Sequence, residues 1–510
     1  MDMEIISRVY YNFIYHVLLL ILISLVGNDN AFKIDKKKEK NNMLVYFKNY
    51  ALYNISKNKS FVLNTFEKDV HYMQYSKTNT TFSSLSISKL KNIIKEANDK
   101  MLRYGNVNVA FFRSGNQVKK MLIDYKTYRP QLFSSQLIRK GLKNFQTLNV
   151  NKAGIVFKEV ALMCKHLIST FGTLVNANMY ITNSGAKISI PPHNDRQDVL
   201  IYQINGIKQW TMYEPEIKLP VLNLEVGKGK KNMPININKL KFIKTVLLNP
   251  GDLLYIPRGM VHVTSTKVSN NNVEKPIHVN THQDHSSTSS IHITFGVESD
   301  TIQTTYLGMA QCCMGIYFKK TKDGLHAIKK LPQLPQMTLD LIRQYALKKE
   351  HIDIRKMLPI KPIYISNYNN TKSSIIKKMK SIIKNIALSL NNAKEEAVRL
   401  ALISITKKHK VLKKALKLIK NVHKKMLKKY LQVYDKAIDN TGEMPIHLLQ
   451  NEFQTLVEES SKSIFSSCGF DNVVVDGQNM VDNVVIDDNG KSVGSGTRRR
   501  SNNNNRGGEL

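Results

Sequence analysis

The spacing of hydrophobic and polar positions changes twice along the chain. Apolar residues recur at helical spacing from 157 to 171 and stop at Gly172, which predicts a helix that ends at a glycine. From residue 177 to residue 296, short apolar segments alternate with turns, a pattern typical of a sandwich or barrel. The predicted strands are 178–182, 199–204, 209–213, 253–256 and 291–295. Helical spacing returns after about residue 302 and continues to about residue 430.

The two ends of the chain depart from these patterns. Residues 9–27 are nearly all apolar, are marginal in length for crossing a bilayer, and precede a lysine-rich stretch. We therefore predict a signal sequence or signal anchor over 1–31, and a location in the secretory pathway, in the endoplasmic reticulum or anchored to a membrane. Whether this segment is cleaved is left open.

Composition sets the remaining boundaries. Residues 32–84 are polar and rich in Lys, Asn and Ser, which predicts a linker. A strand-rich domain is expected over 85–300 and a basic helical domain over 301–450, followed by a low-complexity tail over 451–510. The chain has 510 residues, and its apolar fraction of 42% excludes a wholly disordered protein. Its four cysteines are too few and too scattered for a disulfide framework, and they lack the paired spacing of a zinc-thiolate site.

The formal charge of +37 is unevenly distributed. Residues 371–430 contain 18 Lys and Arg against two acidic residues, a difference of 16, and their apolar positions recur at helical spacing. One interpretation is a basic face for nucleic acid or an anionic surface. The other, which we favour, is a helical packing or dimerisation domain whose lysine face is solvated, so that a homodimer through this domain is also left open.

One set of residues indicates metal chemistry. His193 and Asp195 are two positions apart in PPHND, so on a strand both side chains point to the same face. The segment 249–262 reads as turn, strand, turn and His262, and a neighbouring strand could bring that imidazole to the same ion. Two histidines and one carboxylate on one face form the ligand set of non-haem Fe(II) oxygenases. Lys208 could supply the cation that such an enzyme needs for the far carboxylate of 2-oxoglutarate, or it could be an ordinary surface lysine.

The order of several motifs resembles a known family. From about 154 to 297 the chain is similar to the JmjC-domain oxygenases of the cupin fold, with weaker similarity upstream to about residue 85. Within that family it resembles the ribosomal-oxygenase-like group, which includes nuclear proteins described as lysine demethylases and histidyl hydroxylases. The segments that carry the resemblance are 176–182, 191–195, 203–215, 250–259 and 290–294.

The resemblance implies a fold, a site and a reaction. The fold would be a mainly β catalytic core, a double-stranded β-helix, with flanking α-helices and a C-terminal basic α-helical domain. By resemblance, His193, Asp195 and His262 are the catalytic residues that bind Fe(II). Lys208 would hold 2-oxoglutarate, and Asn178 and Tyr180 would line the same pocket. With dioxygen, such an enzyme hydroxylates a protein side chain of the histidyl or arginyl type and releases succinate and carbon dioxide.

Alternatives remain open. The same site would serve a JmjC histone lysine demethylase, and a catalytically silent cupin could bind nucleic acid or ribosomes through its basic helices. The resemblance implies a ribosomal protein or a histone as substrate, and a nuclear or nucleolar location in place of the secretory one. Gly296 stands where we align a small hydroxyl residue in animal members, so no role is assigned to it. We expect the histidine-rich stretch 277–285 to be a solvated loop, and His292 to lie in the barrel interior without binding metal.

Overall fold

The computed structural model describes most of residues 147–439, together with shorter segments before and after them. The described ranges are 61–74, 109–113, 116–121, 147–221, 235–267, 273–274, 289–298, 304–359 and 372–439, with isolated positions at 55 and between 449 and 468. All of these lie in one compact unit that extends from Met1 to Val473. The apolar run at 9–27 and the stretch 277–285 lie outside the described residues.

Twelve strands in the described ranges form two sheets. The strands are β1 (His71–Met73), β2 (Val109–Arg113), β3 (Asn116–Met121), β4 (Thr147–Val150), β5 (Val175–Thr182), β6 (Asp198–Asn205), β7 (Lys208–Tyr213), β8 (Phe242–Leu248), β9 (Leu253–Ile256), β10 (Val261–Ser265), β11 (Val273–Glu274) and β12 (Ser290–Val297). The larger sheet has the order β1-β9-β6-β12-β5-β4-β2-β3, and the smaller has the order β10-β7-β8-β11. All pairings are antiparallel except that of β11 with β8. Two facing sheets of this kind confirm the predicted cupin core.

Alternating side chains give the larger sheet two different faces. On β6, Val199 and Ile201 pack with Trp210 and Met212 of the smaller sheet in one apolar cluster. The intervening Leu200 and Tyr202 belong to a second, larger cluster that includes the helices. Because successive strand residues point to opposite faces, one face of the sheet closes the barrel and the other packs against helices.

The α-helices of the described ranges share an apolar core with the larger sheet. They are α1 (Ala153–Val156), α2 (Lys158–Phe171), α3 (Tyr306–Lys320), α4 (Lys322–Lys330), α5 (Leu334–Leu347), α6 (Ile352–Arg355), α7 (Lys372–Leu388), α8 (Glu396–Lys407) and α9 (His409–Asp439). The apolar side of α9 lies in the same core cluster as Val175 and Ala177 of β5, and the Tyr434 hydroxyl donates to the backbone oxygen of Val175 at 2.7 Å. The expected helical domain over 301–450 therefore shares a core with the strand-rich region.

Part of the expected linker is folded. Residues 61–65 form a π-helical turn, and β1 pairs with β9 at the edge of the larger sheet. Phe61 and Phe66 are buried against Tyr255, with ring centroids 5.0 and 5.8 Å away. The linker prediction over 32–84 is therefore corrected for residues 61–73, because two aromatic side chains anchor this otherwise polar segment in the core.

The cysteines also differ from expectation in one respect. Cys312 of α3 forms a disulfide with Cys468, across 156 residues of sequence, whereas Cys164 and Cys313 are buried thiols. One bridge of this kind is not a framework, but it joins a residue of the expected tail to the core. Within the described ranges, none of the helices has both the length and the apolar character that crossing a membrane requires.

Candidate metal centre

The three predicted ligands line one pocket, on two segments joined by backbone hydrogen bonds. His262 belongs to β10, whereas His193 lies in the connection from β5 to β6 and forms a single bridge with His262. The His193 N–H donates to the His262 oxygen at 3.2 Å, and the His262 N–H donates to the His193 oxygen at 2.9 Å. The expectation that both segments are strands is therefore corrected for His193, since two prolines precede it and interrupt regular pairing.

The side chains of these residues converge. One ligand atom from each of His193, Asp195 and His262 lies within 4.8 Å of the others. The Asp195 Oδ2 is 3.8 Å from His193 Nε2 and 3.6 Å from His262 Nε2. Two imidazole nitrogens and a carboxylate oxygen at these separations can reach one ion from one side.

Backbone carbonyls orient both rings. His193 Nδ1 lies 2.8 Å from the oxygen of Pro191, and His262 Nδ1 lies 3.2 Å from the oxygen of Met260. When each Nδ1 carries the proton and donates it to a carbonyl, the Nε2 lone pairs face Asp195, which is the tautomer that binds a metal. The arrangement thus prepares both rings for coordination.

Lys208 lies deep in the same pocket. Its side chain is fully buried at the start of β7, and Nζ donates to Thr182 Oγ1 at 3.0 Å. Among the described residues, no carboxylate pairs with it. Burial lowers the pKa of Lys208 to about 7 because the charged form loses its hydration. Lys208 is therefore not an ordinary surface lysine, because its side chain is buried and lines the pocket.

The other predicted residues line this pocket as well. Asn178 Oδ1 accepts a hydrogen bond from the Lys152 backbone N–H at 3.0 Å. The Tyr180 ring stacks on His292, with centroids 5.0 Å apart. His292 is buried in the barrel interior, apart from the ligand cluster, and burial followed by the nearby charge of Lys208 lowers its pKa well below the ordinary value. The structure thus brings all six predicted site residues into one pocket.

The sequence did not predict a buried ionic network, which is centred on Arg258. Arg258 contacts the carboxylates of Glu67 and Asp198, at 2.8 and 2.9 Å, and donates to the backbone oxygen of Arg355 at 2.7 Å. Burial alone would lower the pKa of Arg258, but the two carboxylates raise it above its usual range, so the guanidinium stays charged. Sequence offers no local sign of this network, because its members come from segments far apart in the chain.

The network reaches the metal ligands through a tight turn. Gly259, next to Arg258, has φ of 88° and donates its N–H to the Asp195 oxygen at 2.8 Å. A Cβ at Gly259 would lie 2.6 Å from the backbone oxygen of Ile217, so only glycine fits. The turn therefore holds the backbone of Asp195 in place through this hydrogen bond.

Comparison with known proteins identifies this region. Residues 153–285 match the JmjC domain family model. Ribosomal oxygenase 2 of Bos taurus is 38% identical over 96 residues, which are 19% of each chain. The bifunctional lysine-specific demethylase and histidyl-hydroxylase NO66 of Dictyostelium discoideum is 39% identical over 122 residues, 24% of this chain and 21% of that protein. The same-named protein of Brugia malayi is 30% identical over 199 residues, 39% of this chain and 26% of that protein.

YcfD, a ribosomal oxygenase from Escherichia coli, in complex with cobalt and 2-oxoglutarate, is among the solved structures to which this chain is similar. That structure has a TM-score of 0.26 and 14% identity, and the match covers 47% of this chain and 50% of the other. The sequence matches quoted above span only 19–26% of the curated relatives' own length.

The expected location is corrected by these relatives. A secretory, endoplasmic-reticulum or membrane-anchored location rested on residues 9–27 alone, which lie outside the described residues. The relatives are instead ribosomal oxygenases and lysine-specific demethylase and histidyl-hydroxylase proteins. The secretory prediction is therefore wrong, and the signal peptide on which it depended has no support.

The comparison with known proteins and the structure both confirm the family resemblance found in the sequence. The matched range contains the three clustered ligands and Lys208, and it includes strands β5 to β11 of the two sheets described above. Residues 153–285 are therefore a JmjC domain, and the chain that carries it is a relative of the ribosomal oxygenases.

Proposed function

We propose that this protein is an Fe(II)- and 2-oxoglutarate-dependent dioxygenase that hydroxylates a protein side chain and releases succinate and carbon dioxide. One observation carries the proposal: His193, Asp195 and His262 converge in the pocket that also holds the buried ammonium of Lys208. A metal-binding face and an anion-binding cation in one pocket are the two requirements of this chemistry.

The residues fit both groups. Two imidazoles and one carboxylate suit non-haem iron and leave other coordination positions available for a co-substrate and dioxygen. The Lys208 ammonium is buried with one hydroxyl partner and, in the described part of the chain, no carboxylate. A buried cation costs free energy unless an anion neutralises it, so a carboxylate of 2-oxoglutarate would complete its pairing.

Each side chain then has a definite task. When bound, iron and 2-oxoglutarate supply the dioxygen activation and the oxidising power for C–H hydroxylation. His193, Asp195 and His262 would hold the metal, and Lys208 would fix the far carboxylate by a charge-assisted hydrogen bond. Ile201 and Trp210 give the pocket apolar walls, which would limit the access of water to the reacting groups.

The relatives suggest the class of substrate. Their names describe ribosomal oxygenases and proteins with histidyl-hydroxylase and lysine-specific demethylase activities. We infer that this chain acts on a ribosomal protein or a histone, with histidyl or arginyl hydroxylation as its reaction and a nuclear or nucleolar place of action. Lysine demethylation would use the same site and would release formaldehyde, whereas hydroxylation adds one oxygen to the substrate.

A basic face on α9 supports a partner that carries nucleic acid. The apolar side of this helix is buried, and its other side exposes lysines that form no ion pair among the described residues: Lys413, Lys414, Lys417, Lys424, Lys425 and Lys428. Ribosomes and chromatin both present phosphates to such a face. Binding of ribosomal RNA that does not weaken between 50 and 200 mM salt would contradict this role.

The site assignment is tested with three single variants. We expect His193→Ala and Asp195→Ala to reduce succinate formation from 2-oxoglutarate to the background level, because each removes one of three metal ligands. His326→Ala is the matched control, since this histidine is exposed on α4, far along the chain from the cluster. Succinate measured by NMR at unchanged rates in either ligand variant would contradict the assignment.

A further inference from the structure

The C-terminal part of α9 is covered by a later segment of the chain. The Phe453 ring is buried there, with its centroid 5.8 Å from that of Tyr430 and 5.7 Å from that of Tyr434. The Tyr430 hydroxyl also donates to the backbone oxygen of Leu456 at 3.1 Å. We call six of the described positions of this segment the strap: Leu449, Glu452, Phe453, Leu456, Glu459 and Cys468.

Two glutamates of the strap pair with lysines of α9. The Lys436 ammonium donates to both carboxylate oxygens of Glu452, at 2.7 and 2.9 Å. Lys429 Nζ lies 3.5 Å from Glu459 Oε2. The sequence from 449 to 468 contains three glutamates and one lysine, so it is acidic as a whole. The strap therefore places negative charge on a strongly basic helix.

Both paired lysines continue the basic face that α9 exposes. Lys429 lies four residues after Lys425, and Lys436 lies seven residues after Lys429. These spacings place side chains on one side of a helix. The lysines of the basic face extend over 413–428, about 22 Å of helix, and the stretch to Lys436 would add about 12 Å. The strap thus occupies about the last third of the surface that could bind phosphates.

The strap is fastened at both ends. Leu449 follows the end of α9 at Asp439 by ten positions, and Cys468 forms the disulfide with Cys312 of α3. While that bridge is closed, the glutamates keep a high effective concentration beside their lysines, so an external phosphate competes poorly. Exposed ion pairs contribute little by themselves, so the bridge and the buried apolar side chains hold the strap in place.

We propose that the strap is an autoinhibitory cover of the basic face, held by the disulfide between Cys312 and Cys468 and displaced by nucleic acid when that bond is reduced. This role rests on the nucleic-acid binding proposed for α9, and not on the metal centre. Reduction by a dithiol breaks the Sγ–Sγ bond. The dithiol supplies two electrons and two protons, both cysteines become thiols, and the dithiol becomes a disulfide. Both cysteines are 1% exposed, so the reaction follows local opening of the strap.

The direction of this regulation follows from the compartment. Thiols of nuclear proteins are kept reduced, so in the location inferred above the bridge is open and nucleic acid can take the place of the strap. Oxidation closes the bridge and returns Glu452 and Glu459 to their lysines. Binding of nucleic acid should therefore weaken under oxidising conditions.

The test measures binding of a short RNA duplex of random sequence to the full chain by fluorescence anisotropy, between about 50 and 200 mM salt. Protein oxidised with diamide is compared with protein reduced by dithiothreitol. Alkylation followed by mass spectrometry counts the free thiols in each sample. We expect the reduced protein to bind RNA about tenfold more tightly, with a salt dependence that is steeper by about two phosphate contacts.

Three variants connect this difference to the strap. Cys468→Ser cannot form the bridge, so it should bind RNA like the reduced wild type under both conditions. Cys313→Ala is the matched control, since this buried thiol is next to Cys312 but outside the bridge, and the difference should remain. Glu452→Gln combined with Glu459→Gln keeps the bridge but removes the charges. Its oxidised form should bind about threefold more tightly than the oxidised wild type.

The failures are distinguishable. Equal RNA affinity of the oxidised and reduced wild type overturns the strap but leaves the basic face and the dioxygenase function in place. The same conclusion follows if oxidation does not form the bridge, if Cys468→Ser binds as weakly as the oxidised wild type, or if the double glutamine variant gains no affinity. If the reduced protein binds no RNA, the nucleic-acid role of α9 fails and the strap fails with it, while succinate formation still tests the dioxygenase function.

Discussion

Two buried cations, Lys208 and Arg258, have opposite surroundings. Both are at most 1% exposed. Arg258 contacts two carboxylates and a backbone carbonyl, whereas Lys208 has one hydroxyl partner in the described structure. The pKa of Arg258 is held above its usual range by its carboxylates, while burial lowers that of Lys208 to about 7.

The different partners of Arg258 and Lys208 distinguish a buried charge that the fold requires from one that can bind a ligand. A buried cation that is paired with carboxylates of the same chain is required by the fold, because removing it leaves those carboxylates buried and unpaired. A cation with an incomplete set of partners destabilises the fold slightly and retains its attraction for an anion from outside. The pocket around Lys208 and the network around Arg258 show both cases in one domain.

The largest expected effect comes from breaking the Arg258 network. Arg258→Met leaves Glu67 and Asp198 buried without their cation, which should lower the free energy of unfolding by about 3–5 kcal/mol. Urea denaturation monitored by fluorescence of Trp210, the single tryptophan of the chain, measures this. Arg343→Met on α5 is the control and should change the free energy of unfolding by less than about 1 kcal/mol. An equal loss of unfolding free energy in Arg258→Met and Arg343→Met would show that the buried network contributes no more to stability than an arginine outside it.

The next effect concerns Lys208. Lys208→Met keeps most of the length of the side chain but removes its charge, so the concentration of 2-oxoglutarate needed for half-maximal turnover should rise about 100-fold, equivalent to about 2.7 kcal/mol. The free energy of unfolding should stay the same or increase, because an incompletely paired buried charge is gone. A variant that loses stability and keeps its 2-oxoglutarate requirement would assign Lys208 a purely structural role.

A smaller effect follows from pH. Because the pKa of Lys208 is lowered to about 7, its ammonium is present below that pH and is lost as pH rises through it. The affinity for 2-oxoglutarate should fall by up to about tenfold per pH unit above 7. The free energy of unfolding should meanwhile increase between about pH 7 and the ordinary lysine value of 10.5, since the unfolded chain binds the extra proton in that range.

Lys208→Arg provides the control for this profile. A guanidinium stays charged throughout the range, so the variant should bind 2-oxoglutarate with an affinity that is flat from pH 7 to 9. Isothermal titration calorimetry with the metal-loaded protein in two buffers measures both profiles. A wild-type profile as flat as that of the variant would show that Lys208 keeps its charge over the whole range.

The smallest effect is expected at the edge of the Arg258 network. The Tyr255 hydroxyl donates to Asp198 Oδ1 at 2.7 Å and accepts from the Glu67 backbone N–H at 2.9 Å. Tyr255→Phe removes both hydrogen bonds but leaves the salt bridges in place, so the free energy of unfolding should fall by about 1–2 kcal/mol. A loss in urea denaturation as large as that of Arg258→Met would show that the hydroxyl, and not the ion pairs, holds the network together.

The strands could be predicted because their patterns are local. Segment 253–256 coincides with β9, and 199–204 differs from β6 by one residue at each end. The ligand set could be predicted for a similar reason, since His193 and Asp195 are near neighbours and the segment that carries His262 has its own motif. Alternation and short motifs contain most of the information needed at these positions.

The rest depends on distant partners. Glu67 lies in a segment whose polar composition resembles a linker, and only its contact with Arg258, 191 positions away, shows that it is part of the core. Likewise, nothing near residue 298 in the sequence indicates that Glu298 accepts hydrogen bonds from the side-chain amides of Asn176 and Gln197. Such interactions are formed by the fold and leave no periodic trace in the chain.

The backbone pairing of His193 with His262 has a consequence for the loss and rebinding of a metal ion. Their two backbone hydrogen bonds join residues 193 and 262 directly. Zinc fingers, by contrast, must gather their ligands when the metal arrives, and they unfold when it leaves. We therefore expect chelation to leave the two ligand segments of this protein paired, so that the metal can bind again without refolding.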